Sequence, residues 1–301
     1  MASVLSSLRY LLADFIGEDS GTPPPLPDNL PEAVAPDVSE YIRGLVEYQG
    51  AKYARLYEYR LRRFIGRAGV DVAMLGEIAR LMAMRMSYQD PIRIAQLKLA
   101  GYDACADLPH SEPSSTIGKF RLDELIAALP AVVAEPMLDL LEWAGWTHMP
   151  VSIKFNSTTR LGILRLKIEA GLRRWRRFSV RYARERVWVE RWLHMIDRAL
   201  IKQPAAASEI VQTATMIQGY GDGYRQGEAD WHAIIDGLVK PTCDGVLPLV
   251  DLAGAIAEAR AAAVPDRRQI ALKRKIAEIR TRAQPEQQQP GAPALAGTTP
   301  Q

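Results

Sequence analysis

The sequence predicts an all-α protein, a multi-helix bundle with long antiparallel helices. Three observations lead to this prediction. Apolar residues recur at three- and four-residue spacing over most of residues 38–282. Helix start and stop signals, such as Asp90-Pro91, separate these periodic segments. Alternation of apolar and polar residues, which is typical of a half-buried strand, is almost absent.

Composition is that of a soluble globular protein. The 301 residues are 48% hydrophobic and 24% charged, with a formal net charge of +3. Such a chain is long enough for one or two domains. No apolar run reaches the roughly 18 residues that predict a membrane span. Residues 1–17 lack the cationic start and the small-residue cleavage site of a signal peptide, so we expect a cytoplasmic location.

Changes in composition along the chain indicate its organisation. Proline dominates one early stretch, which favours an extended linker. The last residues, rich in Gln, Pro and Gly, cannot build a core and are expected to be disordered. The predicted segments are a short N-terminal helix (1–19), a proline-rich linker (20–37), a helical domain (38–245), C-terminal helices (246–283) and a disordered tail (284–301).

The first long helical signal begins at Asp37. Asp37 and Glu40 have the D-x-x-E spacing of a capping box, which predicts a helix start. Apolar residues then keep helical spacing until the pair at 68–69, where glycine ends the helix. Asp71 is expected to cap the next helix.

The middle of the chain is expected to combine loops with helices. Residues 107–116 are polar and indicate a loop, and two short helices follow. The VSIKF stretch (151–155) fits a short strand or a loop, and we favour the loop. A near-continuous helix is predicted over 159–202, with a possible break at 178–179. The remaining predicted helices cover 121–129, 132–144, 208–217, 226–238, 253–263 and 267–282.

The strongest charge feature is Arg160–Lys202, which holds thirteen Lys or Arg residues against four acidic ones. Its centre interleaves arginine with aromatic residues, a pattern that holds phosphates and stacks bases. It also fits a solvated helix face whose Arg stems cover apolar surface, or a docking site for an acidic partner or cofactor phosphates. The small net charge favours the solvated face or a protein contact over nucleic acid. The candidate docking residues are Arg173, Arg174, Trp175, Arg176 and Arg177.

A polar segment, MSYQDPIR, lies between two predicted helices. Tyr88, Asp90 and Arg93 are candidates for a small hydrogen-bonded site. The favoured alternative is structural. Asp90 would cap the helix that begins at Pro91, since proline is favoured at the first helical position, and Arg93 would pair with a nearby carboxylate.

The stretch GYGDGYRQG (219–227) raises the question of a phosphate-binding loop. Glycine-rich dinucleotide loops follow a β-strand, whereas a predicted helix precedes this stretch. We therefore favour a joint between two helices. Gly219 or Gly221 would end the first helix with positive φ, and Asp222 would cap the second near Gly223.

Local patterns of catalysis and metal binding are missing from the sequence. Cys105 and Cys243 cannot supply the four thiolates of an iron–sulfur cluster. The four histidines are scattered, and neither G-x-S-x-G nor H-E-x-x-H occurs. No metal ligand, nucleophile or general base is nominated.

Four motifs together resemble a known family. In order they are LVEYQGAKYARLY (45–57), LMAMRMSYQDPIRIAQLK (81–98), GLRRWRRFSVRYARERVWVERWL (171–193) and EIVQTATMIQGYGDGYRQGEADW (209–231). They are similar to the C-terminal helical region of the beta subunit of indolepyruvate ferredoxin oxidoreductases. Related sequences carry a similar G-Y-G-D-T-H-x-R-G and a similar R-W-R-R before a long helix. The resemblance places Tyr220, Asp222 and Arg225 in a family signature.

The resemblance implies a part in a multi-chain enzyme. In that family the holoenzyme oxidatively decarboxylates aryl-pyruvates to acyl-CoA and passes the electrons to ferredoxin. Thiamine diphosphate and iron–sulfur clusters are implied in partner chains, with no cofactor bound by this chain alone. The family's N-terminal α/β domain has no counterpart here, so no catalytic residue is transferred.

Two functional hypotheses therefore remain. The first is an accessory domain or subunit that docks on the catalytic subunits of a 2-oxoacid oxidoreductase. Docking would use the basic face at 173–186 and the polar turns at 88–93 and 219–227. The second is a freestanding helical module that binds an acidic partner or nucleic acid through the Arg/Trp-rich stretch. A remnant without activity is a third possibility.

Overall fold

The computed structural model describes residues 22–105, 115–147, 149–156, 160–171, 176–219, 221–264, 266 and 268–283. The predicted N-terminal helix and C-terminal tail lie outside these residues. Within them the chain is helical apart from one two-stranded sheet, so the predicted all-α fold class is confirmed.

The first four helices of the described residues are α1 (Ala35–Gln49), α2 (Ala51–Arg62), α3 (Val72–Met86) and α4 (Pro91–Cys105). The predicted capping box at Asp37 is wrong. Val34 is the N-cap of α1, and Pro36, which suits the first turn because it has no N–H, fixes the earlier start. The predicted single helix to residue 67 is also wrong, since Gly50 interrupts it with a φ of 111°. Asp71 caps α3 as predicted, accepting a hydrogen bond from Met74 N at 2.7 Å.

Two paired β-strands follow, with two helices between them in the sequence and a third helix after them. Its elements are β1 (Ser115–Arg121), α5 (Leu122–Ala127), α6 (Ala131–Trp143), β2 (Pro150–Asn156) and α7 (Arg160–Gly171). The two strands pair antiparallel over their whole length. The predicted loop at VSIKF is therefore wrong. Its alternate β-branched and aromatic residues suit a strand, and the partner strand lies 29 to 41 positions earlier in the chain.

The described part of the C-terminal half contains six α-helices. They are α8 (Val180–Lys202), α9 (Ala207–Gln212), α10 (Gly221–Ile234), α11 (Lys240–Cys243), α12 (Leu252–Ala261) and α13 (Ile270–Ala283). A 3-10 turn (Thr213–Met216) follows α9, and a π turn (Ile235–Val239) joins α10 to α11. The predicted break near residue 179 is confirmed, because Ser179 caps α8 and accepts a hydrogen bond from Tyr182 N at 3.1 Å.

The main core lies between α1–α3 and α8–α13. Trp192 and Trp231 are fully buried in it, and their indole N–H groups donate to Ile210 O and Thr213 Oγ1. A smaller cluster, centred on Ile126, joins α5 and α6 to the start of α8. None of the helices in the described part combines the length and apolar character that a membrane crossing requires.

Candidate functional site

The polar segment between α3 and α4 forms a buried ion pair. Arg176 Nε and Nη2 donate to Asp90 Oδ2 and Oδ1 at 2.7 and 2.9 Å, a bidentate arrangement. Arg176 Nη1 also donates to Tyr48 O at 2.8 Å and to Gln49 Oε1 at 3.1 Å. Arg176 is 1% exposed and Asp90 2% exposed. Arg176 therefore holds two distant segments of the chain together and is not a docking residue.

Asp90 has a second role, which was predicted. Its Oδ1 accepts a hydrogen bond from Arg93 N at 2.6 Å, so it caps α4. The predicted ion pair of Arg93 is wrong. Its guanidinium lies 5.6 Å from the centroid of the Tyr48 ring, and no carboxylate of the described residues lies within ion-pair distance. The Asp90 carboxylate is already engaged by Arg176.

A second buried charge cluster lies between α3 and α8. Arg85 Nη2 donates to Glu185 Oε2 at 2.5 Å, and Arg85 Nη1 donates to Ile217 O at 3.1 Å. Arg181 Nε lies 3.9 Å from Glu185 Oε1 without a hydrogen bond. All three charged side chains are at most 7% exposed. Two buried arginines thus share the Glu185 carboxylate.

The same cluster contains polar atoms without a protein hydrogen-bond partner. These include Tyr88 Oη and Arg181 Nη2. The Arg181 guanidinium lies 5.0 Å from the Tyr88 ring and 4.8 Å from the Tyr224 ring. Burial raises the pKa of the Tyr88 phenol well above its ordinary value, and nearby Asp90 adds to the rise. The hydroxyl therefore stays protonated, as a buried donor without a protein acceptor.

A cavity of about 360 Å³ opens between α8 and α10 beside this cluster. Trp188 forms a wall shared with the cluster, since the Arg85 guanidinium lies 4.6 Å from its ring. Arg184, Glu228 and His232 also line the cavity. Its volume is in the range of small-molecule sites.

The cavity perturbs its acid and its base in opposite directions. Burial raises the pKa of the Glu228 carboxyl, and the Glu185 carboxylate adds to the rise. Burial lowers the pKa of His232, and Arg191, whose Nη1 lies 3.0 Å from His232 Nδ1, lowers it further. Both shifts favour the neutral forms of these side chains.

Glu228→Gln is expected to stabilise the protein at neutral pH. Because the folded-state pKa of Glu228 is raised, its contribution to stability is greatest below the unfolded pKa of about 4.3 and is lost as pH rises through the folded pKa. Glutamine does not ionise, so the variant should exceed the parent near pH 7 and match it near pH 4. Urea unfolding at both pH values measures this. The exposed Glu142→Gln change, measured in the same way, is the control, and an equal difference for both variants would contradict the prediction.

The glycine stretch is a joint between helices, as predicted, but the prediction that Gly219 or Gly221 ends the first of them is wrong. The helical turn before the stretch ends at Met216, with Ile217 as its C-cap. Gly219 and Gly221 have positive φ, at 71° and 73°. The prediction that Asp222 caps the helix is wrong, because α10 already begins at Gly221. The N–H of Gly221 instead donates to Glu124 Oε1 at 2.8 Å. A carboxylate distant in sequence therefore replaces the local cap.

Asp222 and Arg225 fix the joint to the corner between β1 and α5. Arg121 Nη1 donates to Asp222 Oδ1 at 2.7 Å, and Arg225 pairs with Asp123. Arg121 also donates to Asp123 and to Thr147 O. Asp222 and Arg225 are therefore engaged by the protein itself, as in a structural contact.

Gly227, the last glycine of the stretch, allows close packing. A Cβ at this position would lie 2.1 Å from Met216 O and 3.1 Å from Ile217 Cα. The first turns of α10 therefore pack directly against backbone of the preceding segment. This contact requires glycine for its size, whereas Gly219 and Gly221 are required for their backbone conformation.

The structure brings the predicted site residues into two groups. Tyr88, Asp90, Arg93 and Arg176 lie together, and Asp222 and Arg225 form the second group. Arg177 is half-buried. Arg173, Arg174, Trp175 and Tyr220 lie outside the described residues.

Sequence reasoning missed several residues of these networks. Arg121, Asp123 and Glu124 form the corner that holds the joint, and Arg85 and Glu185 form the buried pair beside Arg181. Glu124 carried a local signal, since its Oε2 accepts a hydrogen bond from Arg121 N three residues earlier, as in a capping box. Within the described ranges, no group of three His, Cys, Asp or Glu side chains is placed to hold a metal ion.

Comparison with known proteins identifies the family to which the chain belongs. A model of a family of unknown function, DUF6537, matches residues 34–237, which include α1 to α10 and every described motif residue named above. No curated protein and no solved structure matches the chain. Because the family model covers more than half of the sequence, the chain belongs to the DUF6537 family.

Proposed function

We propose that this chain is an accessory helical domain or subunit of an indolepyruvate-type (aryl-pyruvate 2-oxoacid) ferredoxin oxidoreductase system. Oxidative decarboxylation would take place on partner chains that hold thiamine diphosphate and iron–sulfur clusters. The role of this chain would be to dock on those chains. The starting point is the resemblance of its four ordered motifs to the helical region of that system.

The observation that supports the proposal best is the meeting of all four motifs in space. Arg176 of the third motif bonds to Tyr48 O of the first and to Asp90 of the second. Arg181, also in the third, lies against Tyr224 of the fourth. Residues that share a family pattern thus share one buried network, as expected if the motifs preserve a common fold of the helical region.

The predicted docking surface needs correction. Arg176 and Arg181 were expected on a basic face, but they are 1% and 6% exposed and engaged in buried pairs. Of the arginines in α8, Arg184 and Arg186 remain exposed. The same observation weakens the alternative of a nucleic-acid-binding module, since two of its arginines do not reach solvent. Arg176 and Arg181 are therefore removed from the predicted docking surface.

Affinity purification from the native host tests the proposal. The tagged chain is expected to retain the subunits of a 2-oxoacid ferredoxin oxidoreductase, identified by mass spectrometry. Deletion of its gene should lower the indolepyruvate-dependent reduction of ferredoxin in cell extract, and the plasmid-borne gene should restore it. The proposal fails if that activity is unchanged by deletion, or if the purified chain turns over aryl-pyruvates alone.

A further inference from the structure

Helix α6 turns most of its apolar side chains toward solvent. Trp143 is 85% exposed and Leu140 61% exposed, whereas only Ala134 and Leu141 of this helix are buried. The connection to β2 continues the exposed apolar surface. The exposed large hydrophobic residues of α6 and of the segments on either side of it are together termed the α6 surface. They are Leu129, Val132, Val133, Met137, Leu140, Trp143, Trp146 and Met149.

These side chains form a stripe on the helix. At about 100° per residue, Val132, Trp143 and Met137 mark an arc of roughly 140° directed away from the buried side. Scattered exposed hydrophobic residues are normal, but a contiguous stripe of this kind marks an interaction site. Tryptophan and methionine are enriched in such sites.

An acidic stripe borders the apolar one. Glu135, Asp139 and Glu142 recur at spacings of four and three, so they lie on one side of the helix, next to the apolar arc. All three are exposed, and none forms an ion pair with another described residue. Helix α6 contains no Lys or Arg. Among the described residues, the surface therefore combines an apolar stripe with negative charge on its flank that no ion pair compensates.

The charge pattern of the α6 surface favours one kind of binding partner over others. Anionic lipid headgroups would be repelled by the three carboxylates. A second copy of α6 would bring a further acidic stripe and no cation of its own. An amphipathic helix with lysine or arginine beside its apolar face would complement both stripes.

We propose that the α6 surface binds an amphipathic helix of a partner protein whose apolar face is flanked by Lys or Arg side chains. The proposal deepens the accessory role above, because it locates the docking surface and states the chemistry of the partner segment. The apolar stripe supplies most of the affinity, centred on Trp143 and Leu140. The carboxylates fix the orientation of the helix and discriminate against acidic partners.

Two synthetic fluorescein-labelled helical peptides provide the probe, one of Leu and Lys and one with every Lys replaced by Glu. Fluorescence anisotropy should show the Leu/Lys peptide binding to the full chain at least about tenfold tighter than the Leu/Glu peptide. The double change Leu140→Ser, Trp143→Ser should weaken binding of the Leu/Lys peptide at least about tenfold. Val250→Ser, which removes a 99% exposed hydrophobic side chain elsewhere, should leave it unchanged.

A charge exchange makes the test specific. The variant Asp139→Lys, Glu142→Lys should prefer the Leu/Glu peptide, reversing the order of affinities. Equal binding of both peptides to parent and exchanged chains would overturn the proposal, as would self-association that disappears with Leu140→Ser, Trp143→Ser. Circular dichroism on each variant confirms that these exposed changes leave the helices intact. If the peptide results hold while no oxidoreductase subunit co-purifies, the docking surface stands and the proposed function fails.

Discussion

Replacement of Arg176 by methionine is expected to lower the free energy of unfolding by about 3–5 kcal/mol. The change leaves the Asp90 carboxylate 2% exposed without its bidentate partner. It also leaves Tyr48 O and Gln49 Oε1 without the donor that Arg176 provides. Methionine keeps an apolar side chain of similar length, so the loss reports mainly on the charge. Urea unfolding followed by circular dichroism near pH 7 measures it.

Arg186→Met is the matched control. Arg186 is exposed on α8, so its replacement should change the free energy of unfolding by less than about 0.5 kcal/mol. Combining Arg176→Met with Asp90→Asn should cost less than the sum of the single changes, because asparagine removes the unpaired charge and still caps α4. A loss for Arg176→Met as small as that for Arg186→Met would show that the ion pair does not hold the segments together.

The reason to expect a large effect is the span of the contact. Arg176 lies 86 residues from Asp90 and 128 from Tyr48, so one guanidinium joins three segments that no local signal connects. Burial by itself would lower the pKa of Arg176, but Tyr48 and Asp90 outweigh it and the pKa is raised. The guanidinium therefore stays charged, and its pairing is obligatory once it is buried.

Sequence reasoning succeeded where the signal was local. Asp71 and Asp90 cap α3 and α4 because an Asp side chain reaches an N–H only two or three residues ahead. The break before α8 and the positive φ of Gly219 were likewise visible in short patterns. Helical periodicity was enough for the all-α fold class.

Sequence reasoning failed where an interaction with a distant segment determines the local structure. The VSIKF strand exists because β1 pairs with it, and the start of α10 is satisfied by Glu124, 97 residues away. Asp37 had a correct local pattern, but Pro36 set the start of α1. In each case the competing interaction was absent from the window in which the pattern was judged.

The sequence also failed to predict which side of a helix is buried and which is exposed. Arginine content predicted a basic face on the third motif, yet Arg181 is buried and Arg184, three residues on, is exposed. Asp139 and Glu142 are exposed on α6. The apolar stripe beside them is exposed as well, whereas the apolar side of an amphipathic helix usually faces the core. Only tertiary packing shows that Ala134 and Leu141 suffice for that contact.

Gly227→Ala is expected to destabilise the protein by several kcal/mol, a larger effect than its single methyl group suggests. The added Cβ would lie 2.1 Å from Met216 O and 3.0 Å from Met216 C. These are backbone atoms, so no rotamer change relieves the clash, and α10 must move away from the segment at 213–217. That movement disturbs the Trp231 contact with Thr213, and overpacking alone costs about 1–3 kcal/mol.

Gly223→Ala, in the same stretch and the same helix, should have the opposite sign. No atom lies within 4 Å of a Cβ at position 223. Alanine there reduces the freedom of the unfolded chain and favours the helix, which stabilises by up to about 1 kcal/mol. Urea unfolding of both variants separates steric need from helix propensity. Equal shifts for the two would mean that the close approach at Gly227 is absent in solution. Opposite shifts would establish that close packing requires one of the glycines of the stretch, independently of any ligand.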